Sequence, residues 1–358
     1  MNFIVHHGDD DGICAAAIVV KECFPGTVTP ETVFTYWHGD AYPAIPYDKV
    51  TDKDALYLVD LALDAMVLDA IRQFRTAAPN ATIVHIDHHQ TTFDALEALS
   101  DEDKALMSTV IQFYKNGLSG CLLTWIWSCM REDERTHPMD VWFDFTLNYA
   151  HVGFKPDDDG YDRMYNIPSI VRWINDWDVW KFEIQGTTEF HYGFMLEENK
   201  SPLNKDLWGP ALNDRRIEYI LDTKYVKPGA VILQYINEIS KNALERAYVD
   251  DIAWKDTDGK WQTTQILMLN ATGNSMVFGD KIKEYPAVLL WHYSGRGHQY
   301  HYSLYSHEGG LDVSVIAKHY GGGGHVHASG FQSEYEPAGL YGDALFAMEK
   351  DGLKWGVI

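Results

Sequence analysis

Short apolar runs alternating with helix-patterned stretches place the tightest constraint on this 358-residue chain. Phe3–His6, Val33–Trp37, Leu56–Asp60 and Ala81–Ile86 read as strands. Gly12–Phe24 reads as a helix opened by an Asp-Gly turn. Asp64–Ala77 carries Met66, Leu68, Ile71 and Phe74 at helical spacing, with Asp64 placed to cap it. This β-α-β rhythm predicts an α/β fold, a parallel sheet with helices on its faces.

After about residue 94 the pattern turns helical, through Ser119–Met130, Pro138–Ala150 and Ser169–Asn175. The apolar stretch Cys121–Met130 is read as core. Residues 155–162 form an acidic loop without the length or closing Glu of a calcium-binding loop. Residues 199–230 mix Pro and Gly with polar residues. An amphipathic helix, Ala230–Tyr248, follows, with Ile232, Tyr235, Ile236, Ile239 and Leu244 on one face. Strands are then predicted at Gln265–Leu269, Ala287–Tyr293 and Tyr300–Ser306, and a helix at Val313–Tyr320. The expected division is a domain over 1–186, a connection over 187–229, and a smaller mixed α/β domain over 230–358.

Composition narrows the function. The chain has 52 acidic and 29 basic residues, a net charge of −23, and 30 of the acidic but 13 of the basic residues lie in 1–186. Aromatics at 13% exclude a disordered acidic tail as the main content. The acid excess argues against gripping long DNA or RNA by its phosphates. Cys14, Cys23, Cys121 and Cys129 form no C-x-x-C pair and read as reduced thiols. With no signal-peptide pattern and no apolar run near the ~20 residues a membrane span needs, a cytoplasmic protein without membrane association is expected.

Ligands of open parallel sheets sit beyond the carboxyl ends of the strands. Here the first strand is followed by His6-His7-Gly8-Asp9-Asp10-Asp11-Gly12, the third ends in Asp60, and the fourth runs into Asp87-His88-His89. So many carboxylates and imidazoles on one rim would repel one another without a cation. A mixed oxygen and nitrogen set suits Mn²⁺ better than Ca²⁺ or structural Zn²⁺. The number of ligands is enough for two ions sharing a carboxylate, the arrangement that serves phosphoryl displacement.

These residues resemble the motifs of the DHH phosphoesterase superfamily. His7-x-Asp9-x-Asp11-Gly12, Asp60 and Asp87-His88-His89 are similar to its first three motifs, and Ile174-Asn175-Asp176-Trp177-Asp178-Val179-Trp180 to a form of the fourth. Gly322-Gly323-Gly324-His325-Val326-His327-Ala328-Ser329-Gly330 resembles the Gly-Gly-Gly-His signature of the associated C-terminal domain. The motifs run in family order from residue 7 to residue 330. The resemblance implies a Rossmann-like metal domain, a substrate-binding C-terminal domain, and an active site in the cleft between them. It implies two divalent ions, Mn²⁺ with Mg²⁺ or Co²⁺ as the other candidates. His7, Asp9 and Asp60 would hold one; Asp11, Asp60, His88 and the fourth-motif Asp the other. Asp87 would support them, and His89 and His325 would face the substrate phosphate. His6 stands as the alternative to His7, and Asp178 as the alternative to the favoured Asp176.

Four consecutive glycines, Gly321–Gly324, let a backbone approach a ligand and turn N–H groups toward phosphate oxygens, although such a run also serves as a plain turn. On the preceding strand, Ser303-Leu304-Tyr305-Ser306 places Tyr305 where many relatives carry a phosphate-binding Arg. Tyr305 can stack or donate one hydrogen bond but cannot make the bidentate charged contact; Arg296 in the preceding turn is the candidate to compensate. The expected activity is Mn²⁺-dependent hydrolysis of short nucleotides, meaning oligonucleotides of a few units or linear or cyclic dinucleotides. The alternatives are a RecJ-like single-strand exonuclease, a phosphoanhydride hydrolase, and a catalytically silent nucleotide or metal sensor. The apolar face of Ala230–Tyr248 could serve a homodimer and could equally pack inside its own domain.

Overall fold

The computed structural model describes residues 1–24, 28–37, 40–130, 167–213 and 217–337. The predicted helix Pro138–Ala150 and the acidic loop 155–162 lie outside the described residues. The chain divides into two units, Met1–Leu233 and Gln234–Ile358.

The first unit is built on a five-stranded parallel sheet of β1 (Asn2–His7), β2 (Val33–Tyr36), β3 (Ala55–Val59), β4 (Thr82–Asp87) and β5 (Ile111–Tyr114), in the order β2-β1-β3-β4-β5. The strands are apolar on both faces because both faces are covered. Ile4, Tyr57, Val59, Val84 and Ile86 pack in one core with α1 (Asp10–Ile18) and α5 (Gly120–Cys129). Phe3, Val5, Leu56, Leu58 and Ile83 alternate with them into a second core, against Val67, Ile71 and Phe74 of α2 (Ala65–Ala77). Asp64 caps α2 as expected, accepting from the N–H groups of Met66 and Val67 at 2.9 and 2.8 Å. Two short helices, α3 (Gln90–Ala98) and α4 (Asp101–Met107), lead from β4 to β5. The short β5 run, Ile-Gln-Phe-Tyr, was not among the expected strands.

The helical part continues with α6 (Ser169–Asp178) and α7 (Thr187–Phe194). Residues 187–229, expected as a connection, instead add α7, α8 (Lys205–Ala211) and α9 (Ile217–Leu221). Phe190, Phe194, Trp208, Leu221 and Tyr225 from this stretch are buried in the same core as α1 and α5. Apolar spacing was masked there by the Pro and Gly content.

The long helix, α10 (Lys227–Leu244), starts earlier and stops earlier than the expected Ala230–Tyr248. Tyr248 opens a strand instead, β6 (Tyr248–Lys255). The second unit carries a six-stranded mixed sheet, in the order β10-β11-β9-β8-β7-β6, with β7 (Trp261–Asn270), β8 (Val288–Ser294), β9 (Gln299–Tyr305), β10 (Gly323–His325) and β11 (Ala328–Ser333). Only β7 and β8 pair in parallel; the other pairs are antiparallel. Helix α11 (Val313–His319) covers one face through Val313, Ile316 and Ala317. No helix among the described residues is long and apolar enough to cross a membrane.

Candidate metal centre

The order β2-β1-β3-β4-β5 reverses between β1 and β3, and open α/β sheets form their crevice at such a switch point, at the carboxyl ends. The ends of β1, β3 and β4 deliver His7, Asp60 and Asp87 to that position. Asp60 follows β3 with φ of 57°, a left-handed backbone that costs a non-glycine residue about 1–3 kcal/mol unless its surroundings enforce it.

Among the described residues, three groups of side chains come close enough to share a metal ion: His7 with Asp9 and Asp60, Asp11 with His88 and Asp178, and Asp60 with His88 and His89. His7 Nδ1 lies 2.8 Å from Asp9 Oδ2 and 3.9 Å from Asp60 Oδ2. His88 Nε2 lies 3.1 Å from Asp60 Oδ1, 3.5 Å from Asp178 Oδ2 and 3.8 Å from Asp11 Oδ2. The two oxygens of Asp60 thus face two different clusters. Both are buried without a hydrogen-bond donor, and so is Oδ2 of Asp178. Burial, then the charges of Asp11, Asp9, Asp178 and Asp87, push the Asp60 carboxyl far above its ordinary range. Burial, then Asp11, Asp9 and Asp87, do the same to Asp178. A buried carboxylate with no donor is costly, and a cation bound by these atoms removes that cost.

Of the two histidines ending β1, His7 faces the carboxylates. His6 points into the sheet, 2% exposed, with Nδ1 2.6 Å from the His7 carbonyl oxygen, and burial pushes its pKa down to about 4. Strand alternation sends neighbours to opposite faces. A parallel argument separates the carboxylates of α6. Residues two apart on a helix are rotated by about 200°, so one of the pair can face the rim. That one is Asp178, in place of the favoured Asp176. Asp176 turns the other way and accepts hydrogen bonds from the N–H groups of Glu183 and Ile184, both at 3.0 Å, and from the Thr187 hydroxyl at 2.6 Å.

Asp11 is held by the start of α5. Gly120 N donates to its Oδ2 at 2.6 Å and Cys121 N to its Oδ1 at 2.9 Å, so two N–H groups without helical partners meet a carboxylate. Asp9 caps α1 by accepting from Gly12 N at 2.9 Å. Burial works against its charge, but the hydrogen bond and charge of His7 prevail and hold its pKa at about 2. Asp87 is fully buried and accepts from His89 Nδ1 at 2.7 Å and from the Thr92 hydroxyl. Thr92 in turn accepts from Leu63 N at 2.8 Å, tying β4 to the segment after β3. Burial disfavours the His89 cation, yet the hydrogen bond and charge of Asp87 outweigh it and raise the His89 pKa. Burial lowers that of His88, which suits a ligand that must be neutral. Gly120, Cys121 and Thr92 were not among the expected residues. The only sequence signal was the Ser-Gly start of a helix.

The remaining expected residues lie in the second unit. Gly322, Gly323 and Gly324 are not a free loop: Gly323 and Gly324 belong to β10, paired with Gly330 and Ser329 of β11. His325 ends β10 and is exposed. Ser303 pairs with Gly330, and Tyr305 with Ala328. The Tyr305 hydroxyl donates to the Gly273 carbonyl at 3.4 Å. Arg296 does not reach Tyr305. It is exposed in the β8–β9 turn, whereas Tyr305 closes β9 at the other end, six residues from Gln299, about 20 Å at ~3.3 Å per residue.

No family model matches the chain. An uncharacterized protein of Acanthamoeba polyphaga mimivirus is 29% identical over 171 residues, which are 46% of this chain and 37% of the relative. Among solved structures the chain is similar to a pGpG-specific phosphodiesterase, PggH, from Vibrio cholerae, at 14% identity and a TM-score of 0.40 over 98% of both chains. It is also similar to an exopolyphosphatase-related protein from Bacteroides fragilis, at 11% identity and a TM-score of 0.40 over 98% of this chain and 92% of the other.

Proposed function

We propose that this chain is a divalent-metal-dependent phosphodiesterase acting on short nucleotides, linear or cyclic dinucleotides and oligonucleotides of a few units. The observation that carries the reading is Asp60. It is 1% exposed, both its oxygens lack donors, and each oxygen faces a separate set of potential ligands. His7, Asp9 and Asp60 would hold one ion, and Asp11, Asp60, His88 and Asp178 the other. The mixed oxygen and nitrogen set fits Mn²⁺, with Mg²⁺ or Co²⁺ as alternatives. Two such ions, when bound, neutralise the phosphoryl oxygens and make hydroxide available near neutral pH.

The chain supplies orientation and a proton. His89 is fixed through Nδ1 by Asp87, whose hydrogen bond and charge also favour its cation, and its Nε2 would face a phosphoryl or leaving oxygen. Asp87 holds that geometry through Thr92. In the second unit, the glycine strand with His325 is a further proposed phosphate contact. The acid excess of residues 1–186 supports a short substrate, because a long polyanion meets repulsion beyond the few phosphates the ions neutralise.

The deciding experiment is a substrate panel with Mn²⁺, covering linear and cyclic dinucleotides, a thirty-mer and pyrophosphate. Linear dinucleotides are expected to yield mononucleotides, with EDTA abolishing the reaction. Equal rates on a two-mer and a thirty-mer would refute the short-substrate reading. Cleavage of pyrophosphate alone would replace it with a phosphoanhydride hydrolase.

A further inference from the structure

A cavity of about 250 Å³ opens beside the carboxylate rim within the first unit. Asp9, Asp10, Asp11 and Asp178 line one part of it, and Trp173, Ile174, Trp177, Phe190 and His191 the rest. The second set comes from α6 and α7. Trp177 and His191 lie face to face, with centroids 3.6 Å apart and planes 9° from parallel. Trp173 and Phe190 stack at 4.8 Å and 24°. Packing explains Trp173 and Phe190, which are 6% and 1% exposed. Trp177 and His191 are only half-buried and line the cavity, although Trp177 also meets Trp180, Phe182 and Tyr192 edge-on. Burial, and secondly Lys200, push the His191 pKa down to about 4, so its ring is neutral and free to stack.

The lining also says what does not bind there. A bare phosphate would meet carboxylates, and the nearby Lys200 is already paired with Asp10 at 2.6 Å. A flat, neutral, weakly polar ring meets no such penalty. The volume lies below the ~300–1,000 Å³ of pockets that enclose a whole drug-sized ligand, which matches part of a nucleotide. Three cavity residues, Asp9, Asp11 and Asp178, are also candidate metal ligands, so a phosphate at the rim and a ring in the cavity are within the span of one nucleotide.

We propose that this cavity is the base subsite, taking the nucleobase of the nucleotide whose phosphate lies at the rim, with Trp177 and His191 as its stacking platform. The subsite rests on the phosphodiesterase reading for the position of that phosphate. Base stacking of this kind is tolerant of base identity, so discrimination between purines is not expected from the rings alone.

The test compares binding of guanosine 5′-monophosphate, adenosine 5′-monophosphate and ribose 5-phosphate to the full chain with Mn²⁺, by calorimetry. The wild type should bind both nucleotides about tenfold or more tightly than ribose 5-phosphate. Trp177→Ala and His191→Ala should remove that preference and leave ribose 5-phosphate unchanged, and Trp177→Phe should restore most of it. Equal binding of the three by the wild type, no binding of the nucleotides, or a preference that survives both alanine variants overturns the subsite. A base preference in a wild type that hydrolyses no dinucleotide overturns the phosphodiesterase reading and keeps the subsite. Hydrolysis without a base preference does the reverse.

Discussion

A Cβ atom on Gly120 would lie 2.6 Å from the Cβ of Asp60 and 2.9 Å from its Oδ1. The first residue of α5 therefore sets how closely a helix start can approach the left-handed carboxylate that faces both ligand clusters. The same residue's N–H holds Asp11. One small position thus controls two of the proposed ligands.

Gly120→Ala should weaken Mn²⁺ binding by about 10–100-fold, the usual cost of disturbing groups that orient ligands. At an ordinary helix position the same change would stabilise by roughly 0.5–1 kcal/mol. Calorimetric Mn²⁺ titration checks the prediction; unchanged affinity with a higher Tm would refute the crowding argument.

Asp176 and Asp178 should respond differently to alanine. Asp176→Ala strands two backbone N–H groups and a hydroxyl, and is expected to cost about 3 kcal/mol of stability. Asp178→Ala removes a buried carboxylate oxygen that has no donor, so in EDTA it should leave Tm unchanged or raised while hydrolysis is lost. Urea melts in EDTA and a dinucleotide assay with Mn²⁺ separate the two.

Metal removal should show in stability as well as in activity. Ions that bind only the folded chain stabilise it by about 2.7 kcal/mol at 100 times Kd. Adding Mn²⁺ to the EDTA-treated wild type is expected to raise Tm, and Asp60→Ala should abolish both that rise and hydrolysis. A variant that keeps its Mn²⁺-dependent Tm shift would place the ions elsewhere.

His191 makes a pH prediction. Its pKa falls from the ordinary 6.5 to about 4 on folding. Between those values the unfolded chain takes up a proton that the folded chain refuses, so this contribution destabilises the fold as pH drops from 6.5 and levels off below about 4. Wild type should therefore lose stability relative to His191→Gln across that window. Parallel stability curves from pH 7.5 to 4.5 would show that His191 titrates normally.

His325 is exposed, so His325→Ala should leave Tm within error. If the glycine strand binds nucleotide phosphate, the variant should raise KM for a dinucleotide several-fold with a smaller effect on kcat. Steady-state kinetics decide it, and an unchanged KM removes this role.

The parallel sheet and its rim were legible because strand ends carry their chemistry in consecutive residues: His7, Asp60 and Asp87 can each be placed by counting along one strand. Gly120 was not legible, because its role depends on two segments 60 residues apart in the chain meeting at one point. Asp176 and Asp178 differ only in which face of a helix the rest of the unit presents to the rim, and both are followed by similar aromatic spacing. Gly321–Gly324 read as loop because strand propensity is poor for glycine, yet at Gly323 and Gly324 pairing with Gly330 and Ser329 overrides it. The β5 run is four residues long, too short for alternation to register, and gains its place from pairing with β4.

The left-handed backbone at Asp60 also bears on how such a chain could change over generations. Few residues other than glycine tolerate that conformation, and asparagine is among them. Aspartate and asparagine codons differ by a single base. A one-step mutation can therefore keep the fold and the shape of the rim while removing the central negative charge. If Asp60 bridges two ions as proposed, its change to asparagine would be a short evolutionary path from a catalyst to a folded relative that no longer turns over.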